Sequence, residues 1–261
     1  MESDPHIWIA ALRKSHDLLA SLVQPLDAEQ VRGPSYCSDW TIAQVLSHLG
    51  SGAEIGLMML PGALGEAEPV GGNAFQPVWD RWNAKSPDQQ AADALVADEQ
   101  HVRALEQLSD AELAKIQFPF IGMELDAAGL VRLRLGEHAL HTWDVAVSAD
   151  PAATVALEAA ALLIDNVPEF IAPRLGKPQG EEFRNRVITT EPDRDYLLTV
   201  TDSVNMTGWP GGDGAGASEV RMPAEALLRL SYGRLDPGHT PPGVTADPAG
   251  LDRLRQVFPG F

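Results

Sequence analysis

The sequence predicts an α+β chain that is mainly α. An N-terminal four-helix bundle occupies residues 1–151, and a small C-terminal α/β domain occupies residues 152–261. Three observations carry this expectation. Apolar residues recur at helical spacing in four long segments of the first half. Short runs of strand character appear only in the second half. The chain length of 261 residues favours two domains or one large one.

The elements follow in order. Ile7, Ala10, Ala11, Leu18 and Leu22 mark a first helix that Pro25 closes. In SDWTIAQVLSHLG, Ser38 or Asp39 is placed to cap a second helix, with Ile42, Val45, Leu46 and Leu49 on one face. Gly52 and Gly56 blur its end, and Pro61-Gly62 is expected to stop it. Residues 61–77 are rich in glycine and proline and read as a long loop of the kind that is often functional. A third helix is expected from about Ser86 to Leu108, with Pro87 at its first position. A fourth runs from about Asp126 to Ser148. Four long helices in this span predict an antiparallel bundle.

In the second half, Val155 to Phe170 reads as one helix. Arg186–Thr190, Tyr196–Val204 and Ser218–Met222 read as strands, the second with Leu198 and Val200 on one face and Leu197 and Thr199 on the other. Gly208–Gly216 reads as a turn or mobile loop, and it lacks the Gly-Lys-Ser/Thr ending of a phosphate loop. Pro223–Tyr232 is an amphipathic helix and Leu251–Phe258 a short final one.

Composition narrows the function. Acidic residues outnumber basic ones 37 to 19, for a net charge of -18. That argues against nucleic-acid or anionic-membrane partners, both of which need a basic face. One cysteine, Cys37, excludes an internal disulfide and fits a reducing cytoplasm. No secretory signal is read at the N-terminus, and no apolar stretch approaches the roughly 18–20 residues of a membrane span.

The chemistry concentrates in two segments. Glu137 and His141 are four apart in LRLGEHALHTWDVAVS, so on a helix they share a face and can give two ligands to one metal. Most isolated pairs at this spacing are solvated or form weak salt bridges. Here the flanking Leu133, Leu140, Val145 and Val147 indicate burial, where a charged Glu needs a partner. His48, on a helix whose inward face holds Val45 and Leu49, is placed to be a third ligand. Three protein ligands with open positions are the layout of a catalytic zinc site rather than a closed structural one. His138 points about 100° away from Glu137 at 3.6 residues per turn and is the weaker candidate. Asp144 either orients a ligand histidine by a hydrogen bond or is a surface carboxylate. Cys37, just before a helix start, reads as a packing residue rather than a thiolate nucleophile. Trp40 reads as a staple between helices, and Arg81, Trp82 and Asn83 as helix-start packing rather than a pocket mouth. His6, His16, His101 and His239 are expected at the surface.

SDWTIAQVLSHLG resembles the first metal segment of DinB-like metalloenzymes. GEHALHTWDVA resembles the second metal segment of one branch, the mycothiol-dependent maleylpyruvate isomerase family. DYLLTVTDSVNMTGW with SEVRMPAEALLRLSYGRL looks like the small domain that follows in those proteins. The resemblance implies a DinB-like bundle with zinc held by the residues at His48, Glu137 and His141. It further implies mycothiol as co-substrate and a small electrophilic substrate such as an unsaturated oxoacid. Thiol addition, bond rotation and elimination would give isomerisation; addition alone would give S-transfer. The rival readings are a metal-dependent hydrolase and a non-catalytic metal or small-molecule binding module. Because a bundle offers little to select a substrate, the 205–217 loop of the second domain is expected to approach the metal side.

Overall fold

The computed structural model describes residues 3–178, 180–211 and 217–260. The chain divides into two compact units, one ending at Asp150 and the other beginning at Pro151. Among the described residues no helix is long and apolar enough to cross a membrane.

The first unit is built on α1 (Pro5–Val23), α2 (Ile42–Ala63), α4 (Pro87–Glu106) and α6 (Ala127–Ala146), with a short α3 (Gln76–Asn83) and α5 (Asp110–Leu113) between them. α2 packs most extensively on α4, and α1 on α6. Each long helix begins on a cap written in the sequence. Asp4 accepts from the His6 N–H, with Pro5 at the first turn of α1. Ser86 and Gln89 form a capping box at the start of α4, and Asp126 accepts from the Gly129 N–H at the start of α6.

The expected start and end of α2 both need correction. Its cap is Thr41, which forms a capping box with Gln44, rather than Ser38 or Asp39. The helix also runs through Pro61 to Ala63, because a proline in the last turn forfeits only one backbone bond before the helix ends anyway. The glycines of α2 are close-approach positions. A Cβ on Gly50 would lie 2.3 Å from the Trp82 ring, and one on Gly56 would lie 2.6 Å from His101 Nε2. They let α3 and α4 press against the α2 backbone.

The 61–77 segment is shorter as a loop than expected, since α3 already starts at Gln76. A hairpin that the sequence reading lacks joins β1 (Phe118–Phe120) to β2 (Met123–Leu125). Its two turn residues, Ile121 and Gly122, have φ of 47° and 75°. That is the positive-φ pair of a tight two-residue hairpin, with an isoleucine where glycine or asparagine is usual.

In the second unit the expected Val155–Phe170 helix is broken. α7 spans Leu157–Leu163, a π-helical turn covers Val167–Ile171 around Pro168, and α8 spans Ala172–Leu175. The sheet has the order β5-β4-β3-β6, from β3 (Phe183–Thr190), β4 (Arg194–Val200), β5 (Val204–Gly208) and β6 (Ser218–Pro223). β3 pairs antiparallel with β4 and parallel with β6. The expected strand 196–204 is really β4 and the start of β5, separated by a turn at 201–203. Along β4, Tyr196, Leu198 and Val200 are buried while Leu197 and Thr199 are not. α9 (Ala224–Ser231) and α10 (Pro248–Val257) complete the unit. Within the 205–217 loop, residues 212–216 lie outside the described residues.

α9 is buried on every side. It carries a buried ion pair, with Arg229 Nε 2.7 Å from Glu225 Oε2 and Arg229 Nη2 3.0 Å from Glu225 Oε1. Arg229 also donates to the His239 carbonyl at 2.8 Å.

Candidate metal centre

α2 and α6 bring together three donor groups. His48 Nε2 lies 3.2 Å from Glu137 Oε2, and His141 Nε2 lies 3.7 Å from the same oxygen. The three ligand atoms all fall within 4.8 Å of one another. The imidazole rings of His48 and His141 meet edge to face, with centroids 4.7 Å apart. Two imidazole nitrogens and a carboxylate oxygen suit a borderline divalent ion such as zinc.

The site faces solvent on one side. The Glu137 side chain is 53% exposed and that of His48 39%, whereas that of His141 is only 11%. The surrounding protein on its own would push the Glu137 carboxyl up. The hydrogen bond from His48 and the charges at His141, His48 and Arg134 outweigh that and hold it at about 2. Half the side chain is in water, yet its carboxyl end is held among His48, His141 and Arg134. It is ionised at neutral pH.

Behind the site, Asp144 is fully buried and accepts from His141 Nδ1 at 2.8 Å. That bond fixes the ring so that Nε2 points towards Glu137 and His48. It resolves the two readings of Asp144 in favour of the orienting one. The same Asp144 Oδ2 accepts the Cys37 thiol at 3.2 Å. Cys37 is placed there by the 33–41 loop, which docks on α6 through Tyr36 N–H to the Asp144 carbonyl at 3.2 Å and through Tyr36 edge-on to Trp143. Trp40, from the same loop, lies over both histidines, with ring centroids 5.3 Å from His48 and 6.1 Å from His141. It thus walls the site as well as bracing the loop.

Other sequence readings resolve differently. Trp82 is buried and donates to Glu54 Oε2 at 2.8 Å, and Arg81 pairs with the same carboxylate, so this segment is packing. His138 is fully buried and turned away from Glu137. His16 and His101, expected at the surface, are buried as well. The reason lies in their registers. His16 shares the inward stripe of Trp8, Leu12 and Leu19, and His101 that of Ala94, Val102 and Leu105. The burial of His101 drives its pKa down to about 3, so it is neutral in the folded chain.

The inward stripe of α4 also carries Asp98, which the sequence reading missed. Asp98 Oδ2 lies 2.7 Å from His16 Nδ1 and 2.8 Å from His138 Nε2. A carboxylate at helical spacing among alanines, Val102 and Leu105 was the available signal.

A helical bundle with an open two-histidine, one-carboxylate site defines a candidate metalloprotein, and comparison with known proteins gives its lineage. The mycothiol maleylpyruvate isomerase N-terminal domain matches residues 12–146, and the C-terminal domain of the same proteins matches residues 158–253. The chain therefore belongs to the mycothiol maleylpyruvate isomerase family. The crystal structure of the mycothiol-dependent maleylpyruvate isomerase superposes with a TM-score of 0.66 at 16% identity, covering 94% of this chain and 93% of that one. A histidine-to-alanine mutant of that isomerase gives a TM-score of 0.65 at the same identity and coverage. At this identity the likeness establishes the fold. A protein of Geobacillus thermodenitrificans (strain NG80-2) named "Putative metal-dependent hydrolase" is 29% identical over 119 residues, which is 43% of this chain and 65% of that relative's length.

Proposed function

We propose that this chain is a metal- and thiol-dependent enzyme that isomerises, or transfers a thiol to, a small electrophilic substrate in the manner of a maleylpyruvate isomerase. His48, Glu137 and His141 hold a divalent metal, zinc by the chemistry of the donor set, and mycothiol is the co-substrate by family. The observation that carries the reading is the convergence of these three donors on a solvent-facing side of the bundle, with Asp144 orienting His141 from behind. When bound, the metal supplies a low-pKa nucleophile by favouring the thiolate over the thiol.

The chain's own residues do the rest. Asp144 keeps the His141 proton on Nδ1, which leaves the Nε2 lone pair for the site. Glu137, ionised at neutral pH, supplies the negative ligand. Trp40 covers one side of the two rings and excludes water from it. Cys37 is engaged with Asp144 behind His141, which suits a reaction whose thiol comes from outside the chain.

The test is turnover of maleylpyruvate by the purified, metal-loaded protein with and without mycothiol. We expect turnover only when both metal and thiol are present. Turnover of ester or amide substrates without thiol would instead support a hydrolase, the reading favoured by the name of the Geobacillus relative. Metal binding with neither activity would support a binding module.

Two variants probe the support behind His141. Asp144→Ala should weaken metal binding by about 10–100-fold, the usual cost of losing a carboxylate that orients a ligand histidine. Cys37→Ser should keep most metal binding and activity, because a hydroxyl can donate to the same oxygen. Both are read by competition with a chromophoric chelator. Equal affinities in Asp144→Ala and wild type would show that His141 needs no orienting partner.

A further inference from the structure

The buried carboxylate of Asp98, on α4, gathers groups from α1 and α6, and Arg134 extends the network to α2. Its Oδ2 contacts His16 of α1 and His138 of α6, and its Oδ1 accepts from Arg134 Nη2 of α6 at 2.6 Å. The same Arg134 Nη2 donates to the Leu49 carbonyl of α2 at 2.9 Å. Asp98 is 1% exposed and His138 is fully buried. The outer nitrogen of His138 is engaged by Ser15 Oγ at 2.8 Å, and that of His16 lies 3.1 Å from Glu99.

The positions of these contacts matter. Leu49 follows His48 on α2. Arg134 lies one turn before Glu137 on α6, and His138 directly follows Glu137. Arg134 therefore ties the α2 turn that carries one candidate ligand to the α6 turn that carries the other two. Gly52 makes this possible: a Cβ there would stand 2.9 Å from Arg134 Nη1. A side chain at that position would push the guanidinium away from the α2 backbone.

His16, Asp98 and His138 also lie within 4.8 Å of one another and so form a second potential donor set. Two features argue against a second metal there. Both imidazoles are already at hydrogen-bond distance from one carboxylate oxygen, and the other oxygen is held by a guanidinium. A dication would have to share a buried interior with that fixed positive charge.

We propose that Asp98 is a positioning residue: through Arg134 it holds the α2 turn of His48 at a set distance from the α6 turn of Glu137 and His141. This rests on reading those three residues as the metal ligands. The charges of His138 and Arg134 and the hydrogen bonds from His138 and His16 offset the strong upward push of burial and keep the Asp98 carboxyl well below its usual range. The clamp is thus charged throughout the neutral range.

The test is cobalt titration of the full chain, read by visible absorption, with thermal unfolding followed in parallel. The variants are Asp98→Asn, Gly52→Ala and, as the control for the ligand set, His48→Ala. Asp98→Asn should bind cobalt more weakly than wild type, by about tenfold at most because Asp98 acts through Arg134 rather than on a ligand directly, and with a shifted visible spectrum, while keeping the same stoichiometry. Gly52→Ala should shift both in the same direction by less. Because alanine favours a helix over glycine, its effect on cobalt is not explained by a weakened α2. A purely structural role for Asp98 predicts a lower unfolding temperature with the wild-type spectrum and affinity in the folded protein, and that result overturns the proposal. Should Asp98→Asn fail to fold, wild-type cobalt binding by Gly52→Ala overturns it equally. A wild type that binds no cobalt, or a His48→Ala that binds it normally, defeats the ligand assignment itself and the clamp with it.

Discussion

His48→Ala and His141→Ala should each lose stoichiometric metal while keeping the helical content of wild type. Removing either imidazole leaves two donors, too few to hold a labile divalent ion against buffer. The helices do not depend on that ion. α2 is anchored by Val45, Leu46 and Leu49 and α6 by Leu135 and Trp143, all at most 1% exposed. Metal content is measured by elemental analysis after dialysis, and helicity by circular dichroism. The unfolding midpoint of each variant should match that of chelator-treated wild type, because the stabilisation a bound ion gives disappears with the ion. Metal content equal to wild type in both variants would place the ion elsewhere.

The largest effect on stability is expected in the second unit, in α9. Glu225 and Arg229 are each about 2% exposed at the side chain and make two hydrogen bonds to each other. Glu225→Ala strands a buried guanidinium, and breaking such a pair costs about 3–5 kcal/mol. The double variant Glu225→Leu/Arg229→Met should be milder than the single one, because it removes both charges and leaves mainly the lost contacts to carbonyls. Urea unfolding of the three proteins decides this. A single-variant loss of about 0–1 kcal/mol, the range of surface pairs, would mean that water reaches the pair.

The sequence was most legible where signals are local. Ser86-Pro87 announces the start of α4, and the alternation of Leu197 to Val200 announces the faces of β4. Glu137 and His141 share a helix face by spacing alone. It was least legible where an outcome depends on segments far apart. The hairpin at 118–125 has strands of only three residues and no glycine-first turn, so nothing local marks it. The break at Pro168 and the turn at 201–203 did carry local signals, the proline itself and Asp202-Ser203, but the apolar residues on either side were given more weight. The bundle's polar interior was misread for a related reason: His16 and His101 looked like surface residues because polarity was weighed above register. Asp98 makes sense only when α1, α4 and α6 meet, since its partners lie 36 to 82 residues away in the chain. Gly52 and Gly56, which blur the end of α2 in the sequence, are where Arg134 and His101 approach it, as Gly50 is for Trp82.

His141 belongs to two possible donor sets, one with His48 and Glu137 and one with Cys37 and Asp144. X-ray absorption at the metal edge separates them most directly, on the full chain loaded with zinc in a thiol-free buffer. The ligand assignment argued above requires a shell of nitrogen and oxygen alone, with the outer scattering of two imidazoles at roughly 2.0–2.1 Å from the metal. A sulfur at about 2.3 Å, lost in Cys37→Ser, would put the ion on Cys37, His141 and Asp144 and contradict the account.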